Sequence, residues 1–202
     1  MEKKVFSTKQ FVELALLVAI ILLMAFTPIG YIKTFGLEIT LIVVPVAVGA
    51  VTMGPLAGAI LGGVFGLTSF IQCFGMSAFG TVLLGINPIY TFIVCFVSRV
   101  LMGWLTGVIY QGLKKIQPIR KVSVVIANLI GPLLNTLFFM GTLVLFFYNT
   151  EYIQGLAESM GASGALAFVV AFVGINGVIE ALVCFVVGSA ISKALQVVLK
   201  SN

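Results

Sequence analysis

The stretch of residues 86–115 constrains the fold most, because it is long enough to cross a lipid bilayer and carries a charge inside it. A helix rises about 1.5 Å per residue, so about 20 residues cross the ~30 Å hydrocarbon core. Arg99 lies in the middle of the stretch and is the one arginine or lysine deep inside an apolar run. A charge at the centre of a bilayer costs about 2.5–3.5 kcal/mol on insertion scales. We therefore expect Arg99 to face a partner or a water-filled cavity.

The composition extends this conclusion to the whole chain. Of its 202 residues, 61% are hydrophobic and 8% are charged, whereas soluble domains average roughly 25% charged residues. We predict an all-α integral membrane protein that forms one domain, residues 1–202. The three cysteines lie in apolar segments without metal-ligand spacing, so we interpret them as small buried hydrophobic residues.

Several chemistries are excluded because the sequence has no histidine and no aspartate. Ser-His-Asp and Cys-His catalysis, HExxH zinc sites and EF-hand loops all need these residues. No GxxxxGK[ST] motif occurs either. We predict that the protein is not an enzyme and uses no catalytic residue, metal or cofactor. The net charge of +5 is attributed to cytoplasmic loops and not to nucleic-acid binding.

We expect six transmembrane helices, separated by glycine, proline and charged residues. They cover approximately residues 11–26, 37–53, 55–74, 87–113, 122–148 and 165–198. Pro45 is expected to kink the second helix. The apolar residues 77–85 are expected to form a re-entrant segment or a lid.

Six spans place both termini on one side of the membrane, and the basic residues indicate the cytoplasmic side, since cytoplasmic loops are enriched in lysine and arginine. Lys33 alone remains outside. The basic residues inside are Lys3, Lys4, Lys9, Lys114, Lys115, Arg120, Lys121, Lys193 and Lys200. The topology predicted is N-in, C-in.

Four polar residues lie at one depth, roughly 17–22 Å below the outer ends of their helices at about 1.5 Å per residue. They are Arg99, Asn135, Asn176 and Glu180. One interpretation is that Arg99 pairs with Glu180 to hold two helices together while the asparagines bridge helices. The other is that the four form the floor of a solute pocket open to the outside.

Asn87 and Tyr90 lie higher, at the mouth of the fourth helix, and are further candidate substrate contacts. Asn87 before Pro88 is also a typical helix start, with asparagine as the cap and proline in the first position. A tyrosine at a membrane boundary is also typical of an interfacial anchor.

Small residues form a stripe on the third helix. Gly54, Gly58, Gly62 and Gly66 recur at every fourth position. Such a stripe lets another helix approach closely, and packing within the chain is favoured over contact with a partner. Ala15 and Ala19 form a shorter stripe on the first helix.

The chain resembles the substrate-binding S components of energy-coupling factor (ECF) vitamin transporters. The similar segments are ALLVA from Ala15 to Ala19, SRVLMGWLTGVIYQGLKK after Asn87, GPLLNTLFFMG in the fifth helix and NGVIEAL in the sixth. The resemblance implies a bacterial plasma-membrane protein that binds a water-soluble vitamin at its outer face. It also implies a transmembrane coupling subunit (EcfT-like) and two cytoplasmic ATPase subunits as partners.

Two further expectations follow from the resemblance. An alanine pair on the first helix helps to dock the coupling subunit in this family, which corresponds to Ala15 and Ala19. The segment FGMSAFGTVLLGINP is similar to pantothenate-specific members, which makes pantothenate the expected substrate, with Arg99 or Lys33 on its carboxylate. Arg99, Asn135, Asn176 and Glu180 also match a pattern shared by members with different substrates, so support of the fold is the alternative role.

Two other functions compete with this one. A self-sufficient secondary transporter or channel would use Glu180 as its ion or proton site, but such proteins often show inverted repeats, and no convincing repeat is visible here. A membrane scaffold would use the glycine stripe as an interface, but it has no need of four polar groups at one depth.

Overall fold

The computed structural model describes residues 7–27, 30–34, 37–120 and 122–200, with the backbone alone for residues 31–34, 37–39, 175–176 and 198–200. Within these ranges the regular secondary structure is helical apart from one antiparallel ribbon. The ribbon consists of β1 (Tyr31–Thr34) and β2 (Leu37–Thr40). The helices are α1 (Thr8–Ala25), α2 (Val43–Met53), α3 (Pro55–Gln72), α4 (Ala78–Ile86), α5 (Pro88–Phe92), α6 (Ser98–Lys115), α7 (Ser123–Phe147), α8 (Glu151–Ser159), α9 (Ala165–Val183) and α10 (Ser189–Lys200). Single π-helical turns, Ile93–Val97 and Cys184–Gly188, join α5 to α6 and α9 to α10.

Among the described residues, five helical stretches are long and apolar enough to cross a membrane, so the chain is a multi-pass membrane protein. They are Thr8–Ala25, Pro55–Gln72, Pro88–Lys115, Ser123–Phe147 and Gly177–Val197. The second predicted span is shorter, because α2 has 11 residues and rises about 16 Å, roughly half the hydrocarbon core. The six-span, N-in topology stays a prediction.

The predicted helix over residues 37–53 is wrong in its first part. Residues 37–40 form β2, in which Thr40 lies opposite Tyr31 of β1. The helix begins at Val43, which places Pro45 in its first turn and not in its middle. The first N–H groups of a helix have no intrahelical partner, so a proline there removes no hydrogen bond. Pro45 therefore belongs to the start of α2 and does not kink it.

Two other segments are more structured than expected, and one is less regular. Residues 77–85, expected to be re-entrant or a lid, form α4, whose cap is Ser77. Residues 149–164, which we expected to form an acidic loop between the fifth and sixth predicted helices, contain α8, which is capped by Thr150. The last predicted helix is interrupted at Gly174, where φ is +38° and ψ is −133°. Glycine reaches this left-handed region without a steric penalty, which accounts for the break.

The glycine stripe packs α3 against α6 and the π turn before it, so the prediction of packing within the chain is confirmed. A Cβ atom at Gly58 would collide with the carbonyl group of Gly103, and one at Gly62 with that of Arg99. At Gly66 it would lie 2.7 Å from the Cα atom of Phe96. The two helices are therefore in backbone contact over several turns.

The buried apolar side chains form two main clusters. The first core joins α1, α2 and α3 and includes Ile21, Val46, Leu61 and Phe65. The second core joins α4, α7, α8 and α9 and includes Leu83, Phe147, Ile153 and Phe168. Helix α6 contributes Met102 to the first core, and the π turn before it contributes Val94 to the second. The π turn and the start of α6 therefore lie where the two cores meet.

The α3–α6 contact makes a prediction for stability. Gly62→Ala should lower the free energy of unfolding by about 1–3 kcal/mol, because the added methyl group has no space beside the Arg99 carbonyl. Gly112→Ala, on the facing helix α6, is the matched control, since its Cβ would meet nothing within 4 Å. Thermal unfolding in detergent measures both variants. Equal midpoints for the two would contradict the close contact.

Candidate functional site

The Arg99 guanidinium is held by the π turn that precedes α6. Arg99 is 8% exposed, and its Nη1 donates to the carbonyl of Val94 at 2.7 Å and to Ser98 Oγ at 3.1 Å. The Ser98 hydroxyl donates to the same Val94 carbonyl. A π turn leaves carbonyl groups without their usual helical partners, and such turns recur at functional sites. Here the freed carbonyl orients the charged side chain.

Aromatic rings flank the guanidinium on two sides. Its central carbon lies 4.5 Å from the ring centroid of Phe139 on α7 and 5.3 Å from that of Phe65 on α3. Phe65 belongs to the first core, and Phe139 packs against the second. Arg99 is therefore a cation between two apolar cores. Cation–π attraction stabilises it by about 0.5–2 kcal/mol per ring, which does not replace a counter-charge.

No carboxylate lies within ion-pair distance of Arg99 in the described part of the chain. Its Nε is also buried without a hydrogen-bond partner there. Burying a charge without a directly paired counter-charge costs several kcal/mol. Arg99 therefore keeps hydrogen-bonding capacity that the described side chains do not use.

Asn135 is a second buried polar residue, on α7. It is 7% exposed and precedes Phe139 by one turn, so both side chains lie on the face of α7 that is directed at Arg99. Its side-chain oxygen is buried without a hydrogen-bond partner in the residues described. The structure thus places a charged donor on α6 and a neutral acceptor on α7, and each keeps one atom without a hydrogen-bond partner among the described residues.

Glu180 does not pair with Arg99, contrary to one of the two interpretations of the sequence. Its Oε1 accepts the backbone N–H of Thr40 at 2.7 Å, which ties α9 to the end of β2. A Cβ atom on Gly177, one turn earlier, would lie 3.9 Å from Thr136 Oγ1. Glu180 therefore holds the ribbon against α9, and α9 lies beside the part of α7 that carries the candidate site.

The remaining candidate contacts have local roles or lie outside the described side chains. Asn87 Oδ1 accepts the N–H groups of Ile89 and Tyr90, both at 3.1 Å, as expected of a cap on α5. The Tyr90 ring stacks on Phe146 with centroids 4.7 Å apart. Substrate contact by Asn87 and Tyr90 stays a prediction. The side chains of Asn176 and Lys33 lie outside those that the structure describes.

The predicted docking pair is on the surface. Ala15 and Ala19 are exposed, whereas Leu14 and Leu17 of the same helix are buried in the first core. The two alanines therefore lie on the outward face of α1, where a partner helix could reach them.

Several residues that the structure shows to matter were not predicted from the sequence. Phe139 could have been found, because it lies four residues after Asn135 and residues four apart share a helix face. Nothing in the sequence indicated Phe65 on the other side of Arg99, or a contact between Thr40 and a residue 140 positions away. Glu13 was also missed: both of its carboxylate oxygens are buried without a hydrogen-bond partner in the described part of the chain.

Comparison with known proteins gives the family. The model of the family described as "ECF transporter, substrate-specific component" matches residues 9–192, which is nearly the whole chain. No curated protein sequence matches the chain. The matched family consists of subunits of transporters and is not an enzyme family. The chain belongs to the ECF transporter substrate-specific component family.

Proposed function

We propose that this substrate-binding subunit captures a water-soluble vitamin that carries a carboxylate, with pantothenate as the best candidate, at the extracellular side of a bacterial plasma membrane. Membership of the family makes the chain a substrate-binding subunit that works with ECF coupling and ATPase components. The particular vitamin and the identity of these components are the new parts of the proposal.

The observation that carries the proposal is the buried Arg99 guanidinium without an acidic partner in the described residues. A solute carboxylate would supply the missing counter-charge. Hydrogen bonds to a charged group contribute about 1.5–3 kcal/mol. The contribution rises when water is excluded, because the effective dielectric constant falls. The two phenylalanine rings exclude water from two sides of the cation.

The unsatisfied oxygen of Asn135 limits which solutes would fit the proposed site. The Asn135 oxygen needs a hydrogen-bond donor, and pantothenate offers hydroxyl groups and an amide N–H besides its carboxylate. In the proposed arrangement the carboxylate binds Arg99 and a hydroxyl or amide group binds Asn135. Asn176, Asn87 and Tyr90 are proposed as further contacts. The resemblance of residues 74–88 to pantothenate-specific members supports this choice.

Docking is proposed on the outward face of α1. Ala15 and Ala19 leave room for close approach by a helix of the transmembrane coupling subunit (EcfT-like), which in turn binds two cytoplasmic ATPase subunits. Exposed apolar neighbours surround the pair, with Val12 at 62% and Leu16 at 60% exposure. In this arrangement both termini are cytoplasmic and the ribbon is extracellular.

Replacing Arg99 by methionine separates a role of Arg99 in binding from a role in the fold. Arg99→Met should weaken pantothenate binding by roughly 10- to 100-fold, because the charged hydrogen bonds are lost. Its thermal stability should stay equal or rise, because an uncompensated buried charge is removed. Titration calorimetry and thermal unfolding on purified protein, without ATP or an ion gradient, measure the two effects.

Arg120→Met is the matched control, since Arg120 is exposed in the loop before α7. It should leave the affinity unchanged. Wild-type binding is expected in the nanomolar to low-micromolar range. Unchanged affinity with a large loss of stability in Arg99→Met would show that Arg99 supports the fold and would overturn the proposed site.

Two substitutions of Glu180 test its role in holding the ribbon. Glu180→Gln keeps an oxygen that accepts the Thr40 N–H, so the ribbon should stay in place and binding should change by less than about threefold. Glu180→Leu removes the acceptor, so hydrogen exchange at the Thr40 amide should become faster and binding should weaken. Exchange mass spectrometry and calorimetry check both variants.

This pair of variants also tests the competing function. A secondary transporter with Glu180 as its ion or proton site would lose transport in Glu180→Gln, because the amide cannot take part in protonation. Sodium- or proton-dependent uptake by the chain alone in liposomes, lost in Glu180→Gln, would favour that function and contradict the ATP-driven one.

Substitutions on the outward face of α1 test the proposed docking surface. Changing both Ala15 and Ala19 to leucine should leave vitamin binding intact but abolish ATP-driven uptake, because the bulky side chains keep the partner helix at a distance. Ala167 and Ala171 provide the matched control, since they are also four residues apart and exposed, but on α9. Uptake into proteoliposomes that contain the full complex is the measurement. Full uptake by the α1 variant would refute this docking surface.

A further inference from the structure

Cys73 and Cys95 lie together in the described structure, at the π turn that holds Arg99. Their sulfur atoms are 3.8 Å apart, and the two residues are 3% and 7% exposed. The Cys73 thiol is placed to donate to the Ser69 carbonyl at 3.3 Å. Either thiol can be the donor in the contact between the two sulfurs. Cys184 is buried elsewhere, in the first core.

The packing of α3 fixes the relative position of this pair. Cys73 directly follows α3, and Cys95 belongs to the π turn before α6. A Cβ atom on Gly66 would lie 2.9 Å from the Cys95 carbonyl oxygen, so the two backbones are in contact close to the thiols. A disulfide has its sulfurs about 2.05 Å apart, so closing the 3.8 Å separation requires a shift of about 1.8 Å. Side-chain rotation can supply much of that shift without sliding the helices.

We propose that Cys73 and Cys95 are an intramolecular disulfide-forming pair that crosslinks the end of α3 to the π turn beside Arg99. In the reaction, one thiolate attacks a small disulfide and releases one small thiol. The second cysteine then attacks the mixed disulfide and releases the other thiol. The two cysteines lose two electrons and two protons in total, and the small disulfide is reduced to two thiols.

The crosslink would weaken the packing of α4 on Cys73. A Cβ atom on Gly80 would lie 2.6 Å from Cys73 Sγ, so α4 rests directly on that sulfur. Cys73 follows the last turn of α3 and moves more easily than Cys95, whose backbone packs on Gly66. Bond formation therefore shifts the Cys73 sulfur, which alters the contact on which Gly80 rests. Because Leu83 of α4 is part of the second core, the state of the thiols affects a segment that packs over α7.

The test uses the purified full chain in detergent and the membrane-permeant oxidant dipyridyl disulfide. Intact mass should fall by about 2 Da per chain with no pyridyl adduct on Cys73 or Cys95, and peptide mapping should show them linked. Cys184→Ser should form the same link. In Cys73→Ser the link should be absent. Stable pyridyl adducts on both residues, or unreacted thiols in the folded protein that react once it is denatured, would overturn the pair.

A second measurement tests the consequence for α4. Amide hydrogen exchange over Ala78–Ile86 should become about threefold faster or more on oxidation of the wild type, because a packing contact is lost. The Cys95→Ser variant, treated identically, should show no change. Linked cysteines with unaltered exchange in α4 would overturn the coupling to α4 while leaving the disulfide pair in place.

Discussion

The backbone contact between α3 and α6 is the interaction on which the rest of the structure depends. Three glycines of α3 remove the side chains that would otherwise keep the helices apart, and backbone groups of Gly103, Arg99 and Phe96 take the space. In a membrane the hydrophobic effect does not drive helices together, so dense packing between small residues supplies much of the association energy. The contact also brings Phe65 to the Arg99 side chain and Cys73 to Cys95.

This packing places the Arg99 cation between two apolar cores. Arg99 and Asn135 each keep a buried atom without a hydrogen-bond partner among the described residues, while the Val94 carbonyl and two aromatic rings orient the guanidinium. Buried polar groups in proteins are nearly always hydrogen-bonded, so unsatisfied ones in a transporter subunit call for an explanation. The proposed function provides one, because the solute would supply the missing hydrogen-bond partners.

Sequence reasoning located four of the helices within a few residues, because their apolar runs are long and end at glycine, proline or charged residues. It failed at residues 37–40, because LEIT is too short to distinguish a strand from the start of the apolar helix that follows. Depth along the helices correctly selected Arg99 and Asn135 as buried polar residues. It could not find the partner of Glu180, since that partner is a backbone N–H, which every residue except proline possesses.

A structure of the chain with its solute bound tests the central claim most directly. The account predicts a solute carboxylate within about 3 Å of the Arg99 guanidinium, and a hydroxyl or amide group of the same molecule on Asn135. The opposite result would be a solute bound elsewhere, with Arg99 still between Phe65 and Phe139 and without an anion. That result would show that the buried cation is a feature of the fold and not the centre of a binding site.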